Sequence, residues 1–119
     1  DQIAAADAVV IATPEYNKAL PGVLKNALDW VSRTKGGVWL DKPVAIISAA
    51  AGRAGGERSQ FSLRLCLTPF RPQLLTGPEV LVANSASAFD AQGQLQDART
   101  LQVLTELMQL LRAKAARAG

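Results

Sequence analysis

Three short runs of almost uninterrupted apolar residues punctuate this chain, and a turn follows each of them. The first spans residues 7–12 and contains Ala8-Val9-Val10-Ile11. The second, Val44-Ala45-Ile46-Ile47-Ser48, opens after Lys42-Pro43, and the third occupies residues 79–83 after a Thr76-Gly77-Pro78 turn. Strands covered on both faces of a parallel sheet carry this continuous apolar pattern. Between the first two runs, Val23, Leu24, Ala27, Leu28 and Val31 fall at helical spacing, which predicts a helix with one buried face. Pro21 suits its first turn, and Gly36-Gly37 marks its stop. Residues 57–70 fit two periods. Phe61, Leu63, Leu65 and Leu67 alternate as in a strand, while Leu63, Cys66, Leu67 and Phe70 share a helical face. A parallel sheet requires a crossover at this point, so we assign a helix.

The remaining pattern completes the picture. Residues 1–6 read as the end of a helix, or its connection, leading into the first strand. Residues 84–96 are small and polar, with Asp90-Ala91-Gln92-Gly93 as a turn. Asp97 is the N-cap of a final helix whose Leu101, Leu104, Met108 and Leu111 form one stripe. The order is strand-helix-strand-helix-strand-helix: an α/β doubly wound parallel sheet.

Composition narrows the function classes. A chain of 119 residues with 49% apolar content supports one domain with a modest core. No apolar run approaches the ~18 residues of a membrane span, and Asp1-Gln2-Ile3 is unlike a positively charged leader, so no membrane association is expected. The single cysteine, Cys66, rules out an intrachain disulfide and suits a reducing compartment, the cytoplasm by expectation. With no histidine, a Ser-His-Asp or Cys-His nucleophile cannot form within this chain. The same absence, with one cysteine, excludes a His/Cys zinc site, and no metal is expected. Much of the +3 net charge lies in Arg112, Lys114 and Arg117, where it complements a helix C-terminus. Only 5% of residues are aromatic, and nothing points to nucleic acid. What remains is chemistry by carboxylates, backbone dipoles or a borrowed cofactor.

Two loops carry the candidate chemistry. In an open α/β sheet, ligands sit beyond the carboxyl ends of the strands. After the first strand comes Ala12-Thr13-Pro14-Glu15-Tyr16-Asn17, stiffened by Pro14, which fixes its own φ and pushes Thr13 into an extended conformation. It offers backbone amides, a carboxylate, a flat ring and a carboxamide. After the second strand comes Ser48-Ala49-Ala50-Ala51-Gly52-Arg53-Ala54-Gly55-Gly56, whose glycines allow close approach of a ligand to the backbone. Arg53 at its tip has three uses open to it: a nucleotide phosphate, a neighbouring subunit, or solvent.

Thr13-Pro14-Glu15-Tyr16-Asn17, followed by Leu20-Pro21-Gly22-Val23-Leu24-Lys25-Asn26-Ala27-Leu28-Asp29-Trp30, resembles the NAD(P)H-dependent FMN reductases, a family with a flavodoxin-like fold that includes quinone, chromate and azo-dye reductases. The Ser48 to Gly56 loop resembles the family's Ser-x-x-x-Gly-x-x-Gly-Gly segment. The resemblance implies hydride transfer from NAD(P)H, the co-substrate, through bound FMN to a quinone, free flavin or a similar small-molecule acceptor. It implies cofactor-binding roles for Pro14, Glu15, Tyr16, Asn17, Ser48, Gly52, Gly55 and Gly56, with no protein residue acting as acid or base. Glu15 touches the ring or else holds the loop through internal hydrogen bonds; Tyr16 packs on the flavin or caps the core. The helix bearing Trp30 is implied to join subunits in a homodimer or homotetramer. The chain opens where the family's third strand would lie, so we expect only the C-terminal three strands of a larger flavodoxin-like domain, without its phosphate loop. Weak flavin binding by these 119 residues alone is therefore expected. Two other readings stay open: an FMN electron carrier without NAD(P)H activity, and a non-catalytic scaffold.

Overall fold

The computed structural model describes residues 1–118. Its strands β1 (Val9–Thr13), β2 (Pro43–Ala49), β3 (Gln73–Leu74) and β4 (Val80–Val82) form one parallel sheet. β2 lies at the centre. β1 pairs with it from Val9 opposite Val44 to Thr13 opposite Ser48. On the other side β3 pairs with Pro43 and Val44, and β4 pairs with Ile47, Ser48 and Ala49. β3 and β4 are thus two pieces of one strand line, interrupted by residues 75–79. Arg64 secures that interruption by donating from Nη1 to the Leu75 carbonyl at 2.9 Å.

Four helices flank the sheet: α1 (Gln2–Ala5), α2 (Gly22–Ser32), α3 (Glu57–Leu67) and α4 (Ala98–Ala118). Leu28 of α2 and Leu63 and Leu67 of α3 bury Ile11, Val44 and Ile46 on one face. Leu107 and Leu111 of α4 bury Ala45 and Val80 on the other. Alternate residues of β2 therefore go to opposite helical layers, which is the physical reason its sequence is apolar throughout. β1 is less completely covered. Its outer edge has no strand partner among the described residues, and Val10 is 41% exposed.

The three strands and three long helices read from the pattern are present, with instructive differences at their ends. β3 was not among the expected strands, because two residues after Pro72 are too short to show a period. α2 stops at Ser32, before Gly36-Gly37. Its last turn tightens as Arg33 N donates to the Trp30 carbonyl, and the Ser32 and Thr34 hydroxyls take the Asp29 and Val31 carbonyls. α3 yields to a 3-10 turn over Thr68–Phe70, where Pro69 cannot continue the α-helical ladder. On α4 the buried line runs through Leu107 and Leu111, flanked by Leu104 and Met108, while Leu101 is 48% exposed.

Asp97 caps α4 as expected, accepting from both the amide and the hydroxyl of Thr100. Those bonds hold its carboxyl below the usual aspartate range, the hydroxyl contributing most. A lowered folded-state value means the cap is fully present above the unfolded pKa of ~3.9 and is lost as pH falls through the folded value. Amide exchange in the first turn of α4 should therefore accelerate only in strong acid, and at neutral pH in Asp97→Ala.

Candidate functional site

Parallel pairing brings the two singled-out loops to the same end of the sheet, because Thr13 and Ser48 are register partners at the ends of their shared ladder. The first loop is built around a tight turn. Tyr16 N donates to the Ala19 carbonyl at 3.0 Å, and Ala19 N returns the bond to Tyr16 at 3.1 Å. Asn17 and Lys18 between them have φ of 53° and 68°, the signature of a type I′ turn. Asparagine tolerates this region because its short side chain can satisfy local backbone groups. The turn pushes Tyr16, 59% exposed, and the Asn17 carboxamide outward. The amides of Asn17 and Lys18 donate no hydrogen bond among the described residues.

The base of that loop is held from α3. Ser59 Oγ donates to the Pro14 carbonyl at 2.7 Å, and Ser59 N donates to Glu15 Oε1 at 3.1 Å. Thr13 Oγ1 also donates to the Pro14 carbonyl, at 2.8 Å. Glu15 thus serves as a cap supplied from another element, since Gly56 at the N-cap has no side chain to offer. Of the two uses implied for Glu15, holding the loop is the one its hydrogen bond serves. The carboxylate also occupies the positive end of the α3 dipole, with Glu57 in the same first turn.

The second loop folds back on β2. Ser48 Oγ donates to the Gly55 carbonyl at 2.6 Å and accepts from Gln60 Nε2 at 2.8 Å. Gln60 Nε2 also donates to the Val80 carbonyl at 2.9 Å. Gly55 and Gly56 have φ of 63° and 91°; Gly55 lies against the backbone of Leu81, and Gly56 against the Ser48 side chain. A Cβ on Gly55 would stand 2.7 Å from the Leu81 carbonyl carbon, and one on Gly56 2.7 Å from Ser48 Cβ. Gly52 differs: nothing lies within 4 Å of the position its Cβ would take. Its carbonyl accepts from Asn84 N at 2.9 Å, which ties the loop to the segment after β4.

Beside these loops lies a cavity of about 510 Å³, a size suited to a small organic ligand. Pro14 and Ser48 line it, together with Ile47, Val82, Phe89, Leu95 and Leu104. Glu15, Tyr16, Asn17, Gly52, Gly55 and Gly56 stand outside its lining. Phe89 and Leu95 were missed in reading the sequence. They face each other across a bridge closed by the Asp90 turn, where Asp90 Oδ1 accepts from Gln92 N and Gln94 N. The available signal was a pair of apolar residues flanking an Asp-x-x-Gly turn inside an otherwise polar stretch.

These residues fit the ring of the implied flavin. An exposed aromatic side chain, an exposed carboxamide and open turn amides suit a flat heteroaromatic edge, and the bare backbone at Gly52 permits close approach. Ser48, Gly55 and Gly56 have a different character. The Ser48 hydroxyl is buried and paired within the protein, and the two glycines are packing positions that shape the loop.

Comparison with known proteins agrees with the geometry. The model of the NADPH-dependent FMN reductase family matches residues 1–88. An NAD(P)H-dependent FMN reductase of Pseudomonas aeruginosa is 45% identical over 111 residues, covering 93% of this chain and 60% of that protein. A quinone reductase of Escherichia coli is 42% identical over 106 residues, covering 88% of this chain and 56% of the relative. The solved structure of FerB, a flavoenzyme NAD(P)H:(acceptor) oxidoreductase from Paracoccus denitrificans, superposes with a TM-score of 0.79 at 33% identity. That superposition covers 98% of this chain and 63% of the FerB chain.

Proposed function

The chain belongs to the NADPH-dependent FMN reductase family, and we propose that it holds FMN across the ends of β1 and β2. In this reading NAD(P)H would be the hydride donor, and a quinone, free flavin or similar small molecule the acceptor. The observation that carries the proposal is the convergence of the Pro14–Asn17 and Ser48–Gly56 loops above one end of the sheet, on the register of Thr13 with Ser48. FMN, when bound, supplies reversible hydride chemistry that no side chain here can. The protein's part is to bind and orient. In this site Tyr16 would flank the ring, the Asn17 carboxamide and turn amides would meet its polar edge, and Gly52 would admit it to the backbone. No proton needs to be moved by a side chain, so a site without histidine suffices. Steady-state oxidation of NADPH with a quinone and FMN tests the activity: turnover above that of free FMN supports it, and turnover no faster than free FMN would sink it.

The chain spans 60% and 56% of the two relatives above. That fact and the outer edge of β1, which is unpaired among the described residues, support treating residues 1–119 as the C-terminal part of a flavodoxin-like domain whose further strands add at β1. A lone cysteine and the use of NAD(P)H favour the cytoplasm. Among the described residues no helix is long and apolar enough to cross a membrane.

The partner we assign is a second copy of this chain, in a homodimer or homotetramer. α2 and α3 pack beside each other on one face and turn large apolar side chains outward: Val23 at 75%, Trp30 at 70%, Phe61 at 57% and Leu65 at 74% exposure. Exposed aromatic and aliphatic anchors of this kind mark interfaces between subunits. Trp30→Asp combined with Leu65→Asp should convert the assembly to monomer in light scattering, with the monomer still folded. A monomeric wild-type protein would contradict the assignment.

A further inference from the structure

Ser59 and Gln60 are both fully buried polar residues in the opening turns of α3. They face different partners. Ser59 reaches the first loop, bonding the Pro14 carbonyl and Glu15. Gln60 reaches the second, through Ser48 to Gly55. One peptide unit of one helix therefore holds both loops. We propose that Ser59 and Gln60 are positioning residues that set the separation of the two loops, and through it the affinity for the flavin; the second half rests on the function proposed above.

The bonding pattern gives direction to this clamp. The Val80 carbonyl can only accept, so the end of Gln60 that faces it is the amide nitrogen, at 2.9 Å. The same nitrogen then donates to Ser48 Oγ, which leaves the Ser48 proton for the Gly55 carbonyl. Protons in this chain thus run one way, from Gln60 through Ser48 to Gly55, and each bond polarises the next. The clamp closes on a glycine turn with no slack, since a Cβ on Gly56 would meet Ser48 Oγ at 2.8 Å.

The arrangement also has a cost that packing alone would not incur. Gln60 Oε1 is buried without a hydrogen-bond partner among the described residues. A buried acceptor left unpaired is unfavourable, and an apolar side chain of similar volume would avoid it. The two donor bonds are what a methionine at this position could not supply.

Native-state hydrogen exchange of the ligand-free protein separates positioning from packing. Four loop amides report locally: Tyr16 and Ala19 in the first turn, and Ala50 and Asn84 around the second loop. Ser59→Ala should speed exchange at Tyr16 and Ala19 by about tenfold, as expected for loss of one buried hydrogen bond. Gln60→Met should do the same at Ala50 and Asn84. Amides of the β2 core should follow only the global stability, measured in parallel. Uniform acceleration across loops and core would reduce both residues to packing and overturn the proposal. Should Gln60→Met fail to fold, Gln60→Asn, one methylene shorter, provides the same readout. A parallel FMN titration should show weaker binding in both variants. Unchanged affinity in variants with loosened loops would overturn the link to the ligand. A wild-type protein that binds no FMN even at the high concentrations a site without a phosphate loop calls for would refute the flavin site itself and with it that link, leaving the exchange data to decide the clamp.

Discussion

Gly55→Ala should cost this protein about 3 kcal/mol, lowering its Tm by roughly 10–15 °C. Two independent penalties meet at this residue. Its φ of 63° lies in the left-handed region, where a Cβ strains the backbone by about 1–2 kcal/mol. The added Cβ would also stand 2.7 Å from the carbonyl carbon and 2.9 Å from Cβ of Leu81, the central residue of β4. A backbone neighbour cannot rotate aside as the end of a long side chain would, so the loop or β4 must shift. Displacing the loop also breaks the Ser48 bond to the Gly55 carbonyl. Gly52→Ala is the control, because its Cβ meets nothing within 4 Å and its φ is unexceptional. Its stability should stay within about 0.5 kcal/mol of wild type. If the flavin ring approaches the backbone at Gly52, the same variant should weaken FMN binding. Thermal unfolding of the two variants side by side checks the stability contrast, and equal Tm losses would contradict it.

Leu63→Ala should destabilise by about 3 kcal/mol, within the usual range for a buried leucine. Leu63 is completely buried in the cluster formed with Ile11, Leu28, Val44 and Ile46. It lies one turn after Ser59 and Gln60, on the helix that grips both loops. Truncation leaves a cavity between α3 and the sheet that Val44 and Ile46, fixed in the central strand, cannot collapse to fill. The functional consequence should exceed that of an equally large loss elsewhere. Leu107→Ala, on α4 at the opposite face, should cost a similar amount while leaving the loop amides at 16 and 19 better protected. Urea unfolding combined with exchange at those amides measures both effects, and equal loop loosening in the two variants would contradict the assigned role of α3.

The helical and strand layout was legible because each element buries a face that its spacing announces. β2 shows this best: burial on both sides leaves no polar position from Pro43 to Ile47. The candidate loops were also legible, since Pro14, Asn17 and the glycines are residue types with narrow backbone preferences. What the sequence could not show is the division of labour within the site. Ser48 resembles a ligand contact in one dimension, yet its hydroxyl is taken up by Gly55 and Gln60, residues 7 and 12 positions away. The capping role of Glu15 likewise depends on Ser59, 44 residues distant. Phe89 and Leu95 reach the cavity only because the Asp90 turn folds a polar segment back over the strand ends. β3 exists only as a continuation of the line that β4 completes, so no local period could reveal it.

The most direct measurement is an FMN titration of the isotope-labelled protein followed by backbone amide NMR. The proposed site predicts saturable shifts concentrated at residues 14–19 and 50–56, with α4 beyond Leu107 unaffected. Shifts centred on another surface, or a spectrum unmoved by FMN, would contradict the placement of the flavin at the shared end of β1 and β2.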